Sequence, residues 1–298
     1  MIRIGTASWT DPTLLASGRF YPVQARTPQA RLQHYAKHFP LVEINTSYYG
    51  IGQPMQSHRW AQCTPADFRF HAKAFRLFTG HQTPVATLGT ELVNDLGLRD
   101  PQATLFYKDL PGEWRDELWR RFLLWLEPMR LHDRLDAVHF QFPPWIRPHP
   151  RVHAHLEDIV HRMAPFTVAV EWRNRQWLTG AQCRKTLDWQ RELGVVHTVV
   201  DAPQGFDNTV PAVWESTHPD MALVRLHGRN GQTWNHKGSA SSGRFMYEYS
   251  EAELAELAAH IQRLAQTIAR THVVLNTNYE DQGVRNAQGL QQALSRAN

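Results

Sequence analysis

The chain has 298 residues, 42% of them hydrophobic, with 32 Lys and Arg against 28 Asp and Glu, a net charge of +4 with histidine neutral. That is enough to bury a full core, and two cysteines, Cys63 and Cys183, are too few for a disulfide framework or a paired-cysteine metal site. The slight basic excess admits an anionic partner, such as a phosphate, a carboxylate or nucleic acid, but no basic block forms a nucleic-acid-binding arm. Met1 leads straight into the strand-like Ile2-Arg3-Ile4-Gly5, and no apolar run approaches the length that spans a bilayer. The expectation is a cytoplasmic protein with no membrane segment.

Eight short runs rich in β-branched and aromatic residues recur along the chain: Ile2 to Trp9, Val42 to Tyr49, Phe68 to Ala74, Asp136 to Phe142, Thr167 to Arg173, Val195 to Asp201, Met221 to Gly228 and His272 to Tyr279. Helical periods fall between most of them, over Pro28 to His38, Gly112 to Met129, Pro150 to Met163, Thr179 to Leu193 and Ser250 to Ala269, the last with Ser250 as its predicted N-cap. Strands alternating with helices imply a parallel sheet. Eight units of about 37 residues predict a single (β/α)8 TIM-type barrel over residues 1–298, rather than an open sheet with a second domain. Gly5-Thr6-Ala7-Ser8-Trp9 is neither a dinucleotide fingerprint nor a P-loop. Two strand-to-helix connections are long, 75–113 after the third strand and 229–249 after the seventh, and both are expected over the C-terminal mouth as lids or clamps.

Side chains alternate faces along a strand. One parity carries Thr6 and Ser8; Glu43, Asn45 and Ser47; His71 and Lys73; His139 and Gln141; Glu171 and Arg173; Asp201; Arg225 and His227; and Asn276 and Asn278. The other parity is mostly apolar, as a helix-covered layer requires. A polar interior is unusual for a barrel and demands ion pairing or a ligand. Glu171, Asp201, His227 and Lys73 are therefore the candidate catalytic groups, with Glu171 and Asp201 on successive strands as a carboxylate acid/base pair. Arg173 and Arg225 would join Lys73 in gripping an anion. Ser8, Glu43, Asn45, Gln141 and Asn276, with Trp9 and Tyr49 as stacking surfaces, complete the candidate substrate-binding set. A divalent metal on His71, His139, Glu171, Asp201 and His227 is chemically open, although no short metal motif such as HExxH is present.

These residues lie in segments that resemble the YecE-like family, a domain of unknown function with a TIM-barrel fold. The resemblance rests on Gly5-Thr6-Ala7-Ser8-Trp9, Phe20-Tyr21-Pro22, Val42 to Tyr49, Phe68 to Ala74, Phe140-Gln141-Phe142-Pro143-Pro144, Ala169 to Arg173, Val200-Asp201-Ala202-Pro203, Val224 to Gly228 and Val284-Arg285-Asn286-Ala287. It covers almost the whole chain and implies the barrel, with Glu43, Lys73, Gln141, Glu171, Arg173, Asp201, Arg225, His227 and Asn276 as a shared pocket. It supplies no activity. His71 and Leu275-Asn276-Thr277-Asn278 depart from the family pattern, and the 75–113 segment is longer than is usual for it.

The leading expectation is an enzyme that acts on a small polar, anionic or sugar-like molecule, with hydrolase, isomerase and lyase all open. Two alternatives stand beside it: a nucleic-acid-binding or metal-dependent endonuclease-like repair protein, suggested by the basic charge and the aromatic residues, and a non-catalytic small-ligand binding protein.

Overall fold

Parallel strands need a crossover between them, and the helical stretches supply it. The computed structural model describes residues 1–98, 100, 102–235 and 243–296. Its strands are β1 (Ile2–Ala7), β2 (Leu41–Ile44), β3 (Arg69–Lys73), β4 (Thr83–Pro84), β5 (Thr104–Leu105), β6 (Leu135–Phe142), β7 (Val168–Trp172), β8 (Val196–Asp201), β9 (Met221–Leu226) and β10 (Arg270–Leu275). β4 and β5 form a separate ribbon, and the other eight close a barrel in the order β1-β10-β9-β8-β7-β6-β3-β2, every pair parallel. The predicted (β/α)8 architecture is the observed one.

The helices are α1 (Pro12–Ser17), α2 (Pro28–Tyr35), α3 (Pro54–Gln62), α4 (Thr90–Asp95), α5 (Gly112–Leu131), α6 (Pro150–Met163), α7 (Gly180–Glu192), α8 (Glu251–Thr267) and α9 (Gln282–Arg296). Proline opens α1, α2, α3 and α6, where its missing N–H costs nothing. Ser250 caps α8 as predicted, and Glu253 returns the bond to the Ser250 N–H. α1, α3, α4 and α9 are additions to the sequence reading. Except for β6, which begins one residue earlier, the barrel strands are also shorter than predicted. β2 stops at Ile44, and the chain turns through a 3-10 helix at Thr46–Tyr48, while β10 stops at Leu275.

The 75–113 segment is built rather than loose. It holds the β4–β5 ribbon, α4 and three 3-10 turns, and Phe78 stacks on Trp119 of α5 at 3.8 Å between ring centroids. Its Leu77, Val85, Leu88 and Leu92 are buried, so packing and not ligand closure fixes it. Of the 229–249 segment, residues 236–242, with the predicted Gly238, Ser239, Ser241 and Ser242, lie outside the described residues. Before them Trp234 is buried, and its indole N–H donates to Asn208 at 2.9 Å.

Inside the barrel, small and medium apolar residues (Ala7, Leu41, Ala137, Ala169, Val196, Leu223 and Val274) form a closed cluster. Gly5 belongs to this face: a Cβ there would meet the Leu41 carbonyl oxygen at 1.9 Å, so only glycine lets β1 and β2 pair in this register. At the N-terminal end of the barrel His71 Nε2 meets His272 Nδ1 at 2.9 Å, and His272 Nε2 lies 3.4 Å from Asp136. The C-terminal end is ionic.

Candidate functional site

Arg225 is the centre of the ionic layer. It rises from β9 and reaches across the lumen, with Nη2 2.7 Å from Glu43 Oε1 of β2 and Nη1 2.7 Å from Glu171 Oε2 of β7. All three are sealed from solvent. Glu171 Oε1 also accepts from Arg173 Nη1 at 2.9 Å, so each oxygen of Glu171 is held by an arginine. Burial is the largest influence on both carboxyls and opposes their ionised form, but Arg225 together with the neighbouring imidazoles and, at Glu43, Lys73 outweighs it. Glu43 is lowered to about 2, and Glu171 well below its ordinary range. His139 lies between them, 3.5 Å from Glu43 and 3.3 Å from Glu171, and burial keeps its imidazole neutral.

His227 is neutral for the same reason, lowered to about 3 by burial. Arg173 Nη1 lies 3.1 Å from His227 Nε2 and Asn276 Nδ2 lies 2.8 Å from His227 Nδ1. Both neighbours are donors, and a neutral imidazole accepts at only one of its two nitrogens. Above this floor opens a cleft of about 330 Å³, lined by Ser8, Asn45, Tyr48, Tyr49, Lys73, Gln141, Arg173, Arg244, Phe245, Asn276 and Asn278, among others. Ser8 has φ +96°, a left-handed backbone for a non-glycine residue, and its hydroxyl accepts from Thr10 N at 3.1 Å.

Among the described residues Lys73 has no carboxylate oxygen within salt-bridge distance. Its Nζ donates to Gln141 Oε1 at 3.1 Å and lies 4.7 Å above the Tyr48 ring. Burial first, then the positive charge of Arg225, lowers its pKa to about 8, against the pull of Glu43 and Glu171. The side-chain oxygens of Asn45 and Asn278 are buried without a hydrogen-bond partner. Asn278 Nδ2 donates to Asp11 at 2.9 Å, which turns its free oxygen into an acceptor for a ligand.

The structure brings together Lys73, Gln141, Glu171, Arg173, Arg225, His227, Asn276 and Glu43, and puts Ser8, Asn45 and Tyr49 on the same cleft. It does not bring in Asp201 or Trp9. Asp201 pairs in register with Leu226, and the inward position beside Arg225 belongs to Val200. Its carboxylate instead takes the Tyr249 hydroxyl at 2.7 Å and Arg229 at 2.9 Å. The carboxylate pair of Glu171 and Asp201 does not form. Thr6 likewise faces α2, where its hydroxyl meets Tyr35 Oη at 2.9 Å. Trp9 is buried edge-on against Trp60, at 5.2 Å.

The proposed metal set is dispersed, with His71 engaged by His272 and Asp201 outside the lumen. Among the described residues no group of three or more His, Cys, Asp or Glu side chains is arranged to hold a metal ion. Arg244, Phe245 and Asp11 line the cleft and were not singled out from the sequence. Arg244 follows the Gly/Ser-rich stretch, where no period marks a face.

A closed (β/α)8 barrel with an ion-paired floor and a cationic, half-open cleft at the C-terminal ends of its strands defines the class. The family model described as "Protein of unknown function DUF72" matches residues 3–298, and the chain belongs to that family. The UPF0759 protein YunF of Bacillus subtilis (strain 168) is 31% identical over 281 residues, covering 93% of this chain and 89% of that protein. The UPF0759 protein YecE of Escherichia coli (strain K12) is 31% identical over 115 residues, 38% of either chain. Among solved structures, a DUF72 family protein from Enterococcus faecalis V583 superposes with a TM-score of 0.79 at 26% identity, covering 99% of this chain and 96% of that one. One from Thermotoga maritima MSB8 gives 0.76 at 26% identity over 99% of both chains. No helix among the described residues is long and apolar enough to cross a membrane.

Proposed function

We propose that the barrel mouth is the active site of an enzyme that binds a small anionic molecule bearing hydroxyl or carbonyl groups. The observation that carries this reading is Lys73, which has no carboxylate within salt-bridge distance among the described residues, on a cleft that also presents Arg173 and Arg244. Glu43 and Glu171 are consumed by Arg225 and Arg173 beneath it. An anion entering the cleft would meet cations already desolvated and held in place, which is where charge-assisted hydrogen bonds are strongest. The free oxygens of Asn45 and Asn278 would accept from hydroxyls on the same molecule. A volume near 330 Å³ suits a metabolite-sized compound.

Glu171, ionised and bonded to two arginines, has no proton to give at neutral pH and is a poor base. The proton chemistry therefore passes to Lys73, whose pKa of about 8 lies close to the working range. Titration calorimetry with inorganic phosphate tests the binding step. The wild type is expected to bind with Kd on the order of 1 mM or tighter, and Lys73→Met about tenfold more weakly, a difference of ~1.4 kcal/mol. Equal affinity in the two proteins, or no heat from the wild type, would remove the reading.

A further inference from the structure

Lys73 has the surroundings of an amine held for attack rather than for ion pairing. Among the described residues no carboxylate oxygen lies within 4.0 Å of its Nζ as a salt bridge. The carboxylates that face it, Glu43 and Glu171, are each bonded to Arg225 at 2.7 Å, while Arg225 and Arg173 add like charge beside it and Tyr48 covers it. Gln141 Oε1 accepts one Nζ hydrogen, which fixes the direction of the amine without neutralising it. Desolvation together with neighbouring cations is the arrangement that turns a lysine into a nucleophile.

We propose that Lys73 forms a covalent imine with an aldehyde or ketone whose carboxylate or phosphate is held by Arg173 and Arg244. This deepens the anion-binding reading above and rests on it. The Nζ lone pair attacks the carbonyl carbon while the π electrons move to oxygen. A proton passes from nitrogen to that oxygen to give the carbinolamine, and water then leaves as C=N forms. One amine and one carbonyl become one imine and one water, with no oxidant or reductant. The protonated imine draws electrons from the bond to the adjacent carbon, which assigns the chemistry to the lyase or isomerase classes.

Formaldehyde with sodium cyanoborohydride tests this on the intact wild-type chain without knowledge of the substrate. Formaldehyde forms the imine and hydride reduces it to a methylamine, read residue by residue by peptide mass spectrometry. Of the five lysines, Lys37, Lys108 and Lys185 are exposed and serve as internal standards. At pH 7 a pKa near 8 leaves roughly a hundredfold more neutral amine than an ordinary lysine. The weaker intrinsic nucleophilicity takes back part of that, so Lys73 is expected to methylate about tenfold faster. Methylation of Lys73 no faster than that of Lys37, Lys108 and Lys185 overturns the proposal. Inorganic phosphate is expected to slow Lys73 alone; absence of protection overturns the anion-binding reading, separately from the amine rate. Sodium borohydride with pyruvate in one arm and dihydroxyacetone phosphate in the other should leave a reduced adduct on Lys73 and show whether carboxylate or phosphate is held. No adduct from either overturns the carbonyl substrate class.

Discussion

Replacing Arg225 with methionine is expected to destabilise the barrel by ~3–5 kcal/mol, because Glu43 would then stand sealed in the lumen without its counter-ion and Glu171 would keep only Arg173. The attraction in this triad has to offset the desolvation of three charges, so its presence is weak evidence of net stabilisation. Breaking it by one partner is another matter. The loss should appear as a lower urea midpoint, and the double variant Arg225→Met, Glu43→Gln should recover part of it, since Glu171 keeps Arg173 and no buried carboxylate is left without a cation. A single variant within ~1 kcal/mol of the wild type would mean that water or a rearranged Lys73 neutralises the carboxylates.

Acid is expected to unfold the chain well above the pH at which its carboxylates alone would demand it. His71 and His227 are lowered to about 3 and His197 to about 4, in each case chiefly by burial. In an unfolded chain these imidazoles titrate near ~6.5, so from there down to the folded values the unfolded state binds protons that the folded state refuses. Their contribution is complete above about pH 6.5 and is lost as pH falls, at up to ~1.4 kcal/mol per pH unit for each histidine. Glu43 acts in the same direction. With its folded pKa depressed to about 2, its contribution is complete above about 4.3 and is lost as pH falls toward 2. Circular dichroism followed against pH should show a cooperative transition between about pH 4 and 5. A chain that keeps its tertiary signal to about pH 3 would show that these histidines accept protons in the folded state.

The barrel was legible because eight strand-like runs recur with helical periods between most of them, and because the lumen is written in charged residues at regular strand positions. Glu43, Lys73, Glu171, Arg173, Arg225 and His227 each break an apolar alternation, so their inward direction follows from it. Asp201 was read inward because Val195-Val196-His197-Thr198-Val199-Val200 carries two valines and one polar residue on each parity and offers no alternation. Only the pairing of Val200 with Arg225 shows which face is which. α9 did carry a signal, since Val284, Ala287, Leu290 and Leu294 are its buried stripe. The segment 75–113 carried none. Its 3-10 turns and two-residue strands are too short to show a period, and tertiary packing such as Phe78 on Trp119 decides them.

Asp201, turned away from the lumen, acquires a different importance. It takes Arg229 and Tyr249, the first and last residues of the segment that delivers Arg244 and Phe245 to the mouth. Both ends of the segment are thus tied to the rim of the barrel at one carboxylate. What lies between them is a ring closed at its base, and the entropy of closing such a ring rises by only ~0.6 kcal/mol for each doubling of length. Residues between these two anchors can therefore be added or removed at little entropic cost while the ion-paired floor of Arg225, Glu43 and Glu171 keeps its geometry.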